Sequence, residues 1–152
     1  MNHTGRSPQP PLLCLGCLLA GGGFGYAHPL ATGLSQALRW GVAASLLLLV
    51  ATLGAWGLWT FKRVGTTPEP NGVASALLTT GPFRLSRNPL YLALSTTPLW
   101  VGFLLDSVWM LLMTPVLILL LDRLVIAREE VRLHAQFGDD YLAYTQRVRR
   151  WF

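Results

Sequence analysis

Between two strongly apolar flanks the chain reads Leu77-Leu78-Thr79-Thr80-Gly81-Pro82-Phe83-Arg84-Leu85-Ser86-Arg87-Asn88-Pro89-Leu90-Tyr91. Arg84 and Arg87 are permanent positive charges. Gly81-Pro82 marks a turn, and Asn88-Pro89 predicts a helix start, because asparagine is a favoured cap and proline suits the first helical turn. Tyr91 then falls on that first turn. The segment brings two guanidiniums, the free N–H groups of a helix start and an aromatic ring to one level, which suits a ligand of carboxylate or phosphate character. A second cluster lies downstream: Asp122, Arg123, Arg128, Glu129 and Glu130 continue a helical pattern with Leu124, Val125, Ile126, Val131 and Leu133 interleaved. Asp122 and Glu129, seven apart, should share one stripe, with Arg123 and Glu130 on the adjacent one. That directs carboxylates to the level of Arg87, Asn88 and Tyr91, and ionisable groups at the edge of an apolar span are functional candidates by default.

The elements that must position these groups are apolar. Of 152 residues, 52% are hydrophobic and only 12% charged, against about 25% charged in an average soluble domain. Such a chain has too few polar groups to cover a water-facing surface, so it belongs in a bilayer. No Asp, Glu, Lys or Arg lies between Arg6 and Arg39, Arg39 and Lys62, Arg87 and Asp106, or Asp106 and Asp122. A spanning helix needs about 20 residues, and four windows fit: 11–28, 40–61, 89–105 and 108–126. The predicted fold is all-α, an integral membrane bundle of four transmembrane helices with a short C-terminal amphipathic helix. We read residues 1–152 as a single membrane-embedded domain, with a loose tail over 1–10, a cytoplasmic connection over 62–88 and a cytoplasmic C-terminal region over 127–152.

The first apolar stretch, Leu12 to Tyr26, has features of a cleaved signal peptide, since Arg6 precedes it and small residues surround Tyr26-Ala27-His28. A retained, glycine-rich span is preferred, because Gly21-Gly22-Gly23 and Gly25 would let another helix approach closely. Cys14 and Cys17 have CxxC spacing, but no further Cys or His stands near to complete a tetrahedral site, and they read as buried thiols with no metal expected. His28-Pro29 closes the span. Trp40, Trp56, Trp59 and Phe61 sit towards the two ends of the second span, as membrane-interface rings do. Lys62, Arg63, Arg84, Arg87 and the arginines from Arg123 to Arg150 crowd one side, whereas the opposite loops carry only Arg39 and Asp106. By the positive-inside rule both termini and residues 62–88 face the cytoplasm.

Gly65-Thr66-Thr67-Pro68-Glu69-Pro70-Asn71-Gly72 should be irregular. Asp106-Ser107 is so short that the third and fourth spans must be antiparallel neighbours, and Pro98 and Pro115 should kink them. Beyond Phe137-Gly138, Asp139-Asp140 signals a new helix start. Tyr141, Leu142, Tyr144 and Val148 then give a short basic amphipathic helix suited to lying on anionic headgroups.

Taken in order, the run from Leu77 to Arg84, Ser86-Arg87-Asn88-Pro89-Leu90-Tyr91, Arg128-Glu129-Glu130, Phe137-Gly138-Asp139-Asp140-Tyr141-Leu142-Ala143-Tyr144 and Arg147-Val148-Arg149 resemble the isoprenylcysteine carboxyl methyltransferase family and its bacterial relatives, which include phospholipid N-methyltransferases. The resemblance covers residues 62–152. It implies an integral membrane methyltransferase of the bacterial inner membrane with a cytoplasmic cofactor pocket, using S-adenosylmethionine from the cytosol and an acceptor from the lipid, with no nucleic-acid partner. Carried over by position, the cofactor contacts are Ser75, Ala76, Leu77 and Leu78 on a strand-like approach, Phe83 beside the adenine, Asn88, Pro89, Leu90 and Tyr91 at the opening of the third span, and Glu129 from the fourth. Arg87 and Glu130 are the catalytic candidates. Two departures stand out: the family often has His where Asn88 stands, and the arginine that isoprenylcysteine enzymes place four residues before the glutamate is Val125 here. Arg123, the nearest substitute, lies about 200° away around the helix.

The residues agree with such chemistry on their own terms. Methyl displacement at a sulfonium needs an in-line nucleophile and a dry, positioned pocket more than an acid or base, and positioning alone contributes about 7–11 kcal/mol. Glu129 can hold an ammonium or hydroxyls, Phe83 and Tyr91 can face a cation, and Glu130 is the candidate base should the acceptor be an amine. Three acceptor classes stay open: a lipidated thiol or carboxylate, a phospholipid amine, and a small hydrophobic molecule. The competing class is a non-enzymatic membrane protein that has kept the fold.

Overall fold

The computed structural model of the chain describes residues 8–66 and 75–151. Most of the expected N-terminal tail, and the turn-rich run beyond Thr66, lie outside them. Among the described residues all regular structure is helical. Helix α1 spans Pro10–Ala27 and α2 Gln36–Val64; a 3-10 turn covers Gly81–Arg84; α3 spans Pro89–Ser95, α4 Thr97–Leu105 and α5 Val108–Leu121; a π-helical turn, Asp122–Ile126, leads into α6, Ala127–Arg147. Three continuous helical stretches are long and apolar enough to cross a membrane: α1, α2, and the run begun by α5. The fourth expected span, Pro89–Leu105, is shorter. At the helical rise it covers about 25 Å, somewhat less than a hydrocarbon core.

That span is broken at Thr96, between α3 and α4. Pro98 is the cause, since it has no N–H to donate to the carbonyl of residue 94 and its ring crowds that carbonyl. Ser95 Oγ donates to Leu92 O at 2.9 Å and Thr96 Oγ1 to Ala93 O at 2.8 Å, so hydroxyls supply local donors where the ladder is interrupted. Pro115, expected to act likewise, lies inside an unbroken α5 on its exposed side.

Helix α1 runs antiparallel to α5. Cys14 and Cys17 pack with Leu117, Leu121, Val125 and Ile126 in the central apolar cluster, and Gly21 meets Met110 and Met113 so closely that an added Cβ would lie 3.0 Å from Met113 Cγ. Gly22 and Gly23 have open space instead, so the small-residue contact is the stripe Cys14, Cys17, Gly21, Gly25 and not the whole glycine run. The α4–α5 hairpin turns on Asp106, with φ 55°, and Ser107, whose side chain accepts from Met110 N. Helix α2 packs on α3 and α4, with Gly57 against Leu90. At the hairpin end, Asp106 accepts from Thr32 N and Oγ1 at 2.9 and 2.6 Å and lies 3.6 Å from Arg39 Nε. These hydrogen bonds, with a smaller contribution from Arg39, hold its carboxyl below the ordinary range. The start of α1, the end of α2, the start of α3 and the end of α5 gather at the opposite end.

Candidate functional site

At that opposite end the segment 81–91 is folded against α2 and the C-terminal residues. Gly81, with φ 61°, backs onto α2: an added Cβ would lie 2.7 Å from Thr60 Oγ1. Phe83 stands edge-on to Phe61 with ring centroids 5.5 Å apart. Pro89 occupies the first turn of α3 as expected, but Asn88 makes no side-chain capping bond. Its amide is used elsewhere: Nδ2 donates to Arg150 O at 3.0 Å, while its backbone N–H donates to Ser86 Oγ at 3.1 Å. Ser86 Oγ in turn donates to Arg150 O at 3.1 Å, and Arg87 N to Arg149 O at 3.0 Å. Arg149 and Arg150, just after α6, thus form a strap across the 86–88 loop.

Carboxylates arrive from the other side. A π turn holds one residue more than an α turn, and here it falls between Asp122 and the glutamate pair. Positions eight apart across it therefore take the relation that seven apart have in an α-helix. This corrects the stripe expected from spacing: Asp122 aligns with Glu130, and both meet Arg150. Arg150 Nη1 donates to Asp122 Oδ1 at 2.9 Å and Nε to Glu130 Oε1 at 3.1 Å, with Nη2 on Glu130 Oε2. Arg87 Nη1 lies 3.0 Å from Glu130 Oε1 and donates to Tyr141 Oη at 3.2 Å. Glu129 points to a different partner and accepts from Tyr91 Oη at 2.8 Å.

The helix kinks at Gly138, with φ 51° and ψ −125°, a positive-φ conformation that glycine adopts without strain. This is where the sequence predicts a new helix start. Helix resumes beyond it, and Tyr141 and Tyr144 are buried. Tyr144 Oη donates to Phe83 O at 2.7 Å. Protein therefore covers the tyrosine face that the sequence would lay on headgroups.

Burial governs the electrostatics beyond the spans. It pushes the Glu129 carboxyl above the ordinary carboxylate range; the Tyr91 hydrogen bond and the Arg132 charge oppose this and the Glu130 charge adds to it. Burial likewise raises the phenols of Tyr141 and Tyr144. The Arg150 guanidinium is raised chiefly by its hydrogen bonds to Glu130. Among the described residues, two buried guanidinium nitrogens, Arg87 Nε and Arg132 Nη2, have no hydrogen-bond partner.

Of the residues read from sequence as site candidates, Phe83, Arg87, Asn88, Pro89, Tyr91, Glu129 and Glu130 belong to this connected end. Leu90 turns to Gly57 of α2. Ser75 is tied to the end of α2, with N donating to Thr66 Oγ1 at 3.1 Å and Oγ to Gly65 O at 3.2 Å; Ala76 and Leu77 are half-buried and Leu78 buried beside it in irregular backbone, with no strand. Sequence reasoning gave Asp122 the wrong partner and used Arg150 only as a topogenic charge. The signal that Arg150 might have offered was an arginine just past a helix end in a chain with few acidic residues to pair. Ser86 stood inside the Ser86–Tyr91 motif without a role of its own, and Arg132 belonged to no motif.

A membrane-type helical bundle with an acidic pair facing an Arg-Asn-Pro-Leu-Tyr segment defines a class of integral membrane proteins with a polar site at one end. Within that class, the chain belongs to the phospholipid methyltransferase family, whose model matches residues 38–140. An uncharacterized protein of Haemophilus influenzae is 42% identical over 62 residues, which cover 41% of this chain and 92% of that one. No solved structure matches the chain significantly.

Proposed function

We propose that the protein transfers a methyl group from S-adenosylmethionine to a lipidic or small hydrophobic acceptor that enters from the bilayer, with the site and both termini on the cytoplasmic side. The observation that carries this reading is the buried Glu129 carboxylate, held by Tyr91 Oη at the polar end of a bundle of this family. The donor set fits the cofactor: a buried carboxylate for an ammonium or hydroxyls, orphaned guanidinium nitrogens for a carboxylate, and the rings of Phe83 and Tyr91 for a cation. Bound there, S-adenosylmethionine supplies an electrophilic methyl group on a sulfonium.

The residues of the chain supply binding and position. Tyr91 fixes the Glu129 carboxylate from across the α3–α6 junction. Arg87 is oriented by Glu130 and Tyr141. Of the two roles open to Glu130, proton acceptor or anchor, its contacts favour anchor, because both oxygens already accept from guanidiniums. An anionic acceptor is poorly served: Val125 is wholly buried, and the Arg123 side chain is 73% exposed beside Asp122. The family match favours a second reading of the acceptor, a phospholipid amine.

The test is incubation of purified protein with radiolabelled methyl donor and host membrane extract, followed by organic extraction. Label in the organic phase is expected. No incorporation into any product would leave the non-enzymatic reading in place, and label confined to water-soluble products would exclude entry from the bilayer.

A further inference from the structure

Arg132 lies one helical turn beyond Glu129 on α6, so the two side chains rise from the same face with Cβ atoms about 5–6 Å apart. Its charge is felt at both Glu129 and Tyr91, in keeping with that shared face, although the guanidinium makes no ion pair with Glu129 among the described residues. Yet Arg132 Nη2 is buried without a hydrogen-bond partner among the described residues. A buried charged donor left unmatched is costly, and native structures leave few of them. Arg87 Nε is orphaned too, but Arg87 Nη1 already meets Glu130 and Tyr141. The open valence beside Glu129 therefore belongs to Arg132.

We infer that Arg132 binds the α-carboxylate of the methyl donor, while Glu129 takes its ammonium group, so that opposite charges one turn apart on α6 form a cradle for an amino-acid zwitterion. The inference rests on the cofactor proposed above and adds a residue to its site. The ligand's two charged groups stand on a single carbon, and two side chains converging from adjacent turns match that spacing better than groups on separate helices would. A lipid phosphate could satisfy the same guanidinium, so the experiment has to separate the two sources.

Calorimetric titration in detergent would compare S-adenosylhomocysteine with its decarboxylated analogue on the wild-type chain, Arg132→Met and Arg132→Lys. The wild type should bind S-adenosylhomocysteine about 10- to 100-fold more tightly than the analogue, the range for a hydrogen bond to a charged group. Arg132→Met should lose that preference by weakening only the carboxylate-bearing ligand, and Arg132→Lys should recover part of it. Equal weakening of both ligands, or unchanged affinity for S-adenosylhomocysteine with weakened binding of phospholipid, would overturn the inference. The wild-type comparison needs no variant, so a misfolded Arg132→Met does not protect the idea: a wild type that binds both ligands alike refutes it. A wild type that binds neither refutes the cofactor reading itself, and the role of Arg132 with it.

Discussion

Tyr91→Phe removes one hydroxyl and leaves the ring, so it isolates the hydrogen bond to Glu129. That bond is 2.8 Å long and its acceptor is a buried carboxylate already pushed above its ordinary value of 4.5. A hydrogen bond to a charged group contributes about 1.5–3 kcal/mol, and each 1.36 kcal/mol of preference for one protonation state is about one pKa unit. Losing it should push the Glu129 carboxyl further up, because the Tyr91 hydrogen bond favours the ionised form. The sign for stability follows from proton uptake. A carboxyl whose folded pKa is raised contributes stability that is fully present below the unfolded value and lost as pH rises through the folded value. Binding of a ligand ammonium has the opposite sign, because it requires the ionised form and strengthens as pH rises through the same pKa. Calorimetric affinity for S-adenosylhomocysteine, measured as a function of pH, should therefore rise at a higher pH in Tyr91→Phe than in the wild type. A midpoint that stays in place or moves down would refute the coupling between Tyr91 and the ionised carboxylate.

Two further outcomes follow from the charge cluster and the π turn. Glu130→Gln should destabilise the fold by about 1–3 kcal/mol, between an exposed and a buried ion pair, because the cluster is only partly buried and Asp122 still holds Arg150; chemical unfolding in detergent measures it, and unchanged stability together with abolished turnover would restore the proton-acceptor role. Deleting Leu124 should let the π turn relax to an α-helix and leave Glu129 and Glu130 in place relative to α5, because Asp122 and Glu130, then seven positions apart, keep the stripe they share across the π turn. Affinity for S-adenosylhomocysteine should then be retained, and a fall of about 10-fold or more, the loss of one charge-assisted contact, would show that the register across the π turn is not what places the glutamates.

The spans were legible because a bilayer forbids charge over a fixed length, and the gaps from Arg6 to Arg39, Arg39 to Lys62 and Asp106 to Asp122 state that rule directly. The third window was legible in position but not in form: Pro98 announces a disturbance, whereas the recovery of carbonyls by Ser95 and Thr96 depends on rotamers that no periodicity encodes. The site divides the same way. Pro89, Tyr91 and the glutamate pair could be singled out by residue type and spacing, since proline has one good place in a helix and carboxylates next to an apolar run are costly unless partnered.

The partners themselves were hidden for a single physical reason. Spacing arguments assume a uniform 3.6-residue turn, and Asp122–Ile126 departs from it. One extra residue in that turn exchanges which glutamate lies over Asp122, so Glu130 is drawn into the arginine cluster and Glu129 is left facing Tyr91. The two adjacent carboxylates, chemically identical in the sequence, are thereby given different surroundings: one is matched on both oxygens by Arg87 and Arg150, and the other is buried with a neutral hydroxyl as its donor. Arg150 makes that division possible only because Val148 ends the helix in extended backbone and the chain folds back across residues 86–88. The strap links Arg149 and Arg150 to the segment that opens α3, and through Glu130 to α6, so the divergent environments of the two glutamates depend on backbone contacts separated by more than sixty positions in the chain.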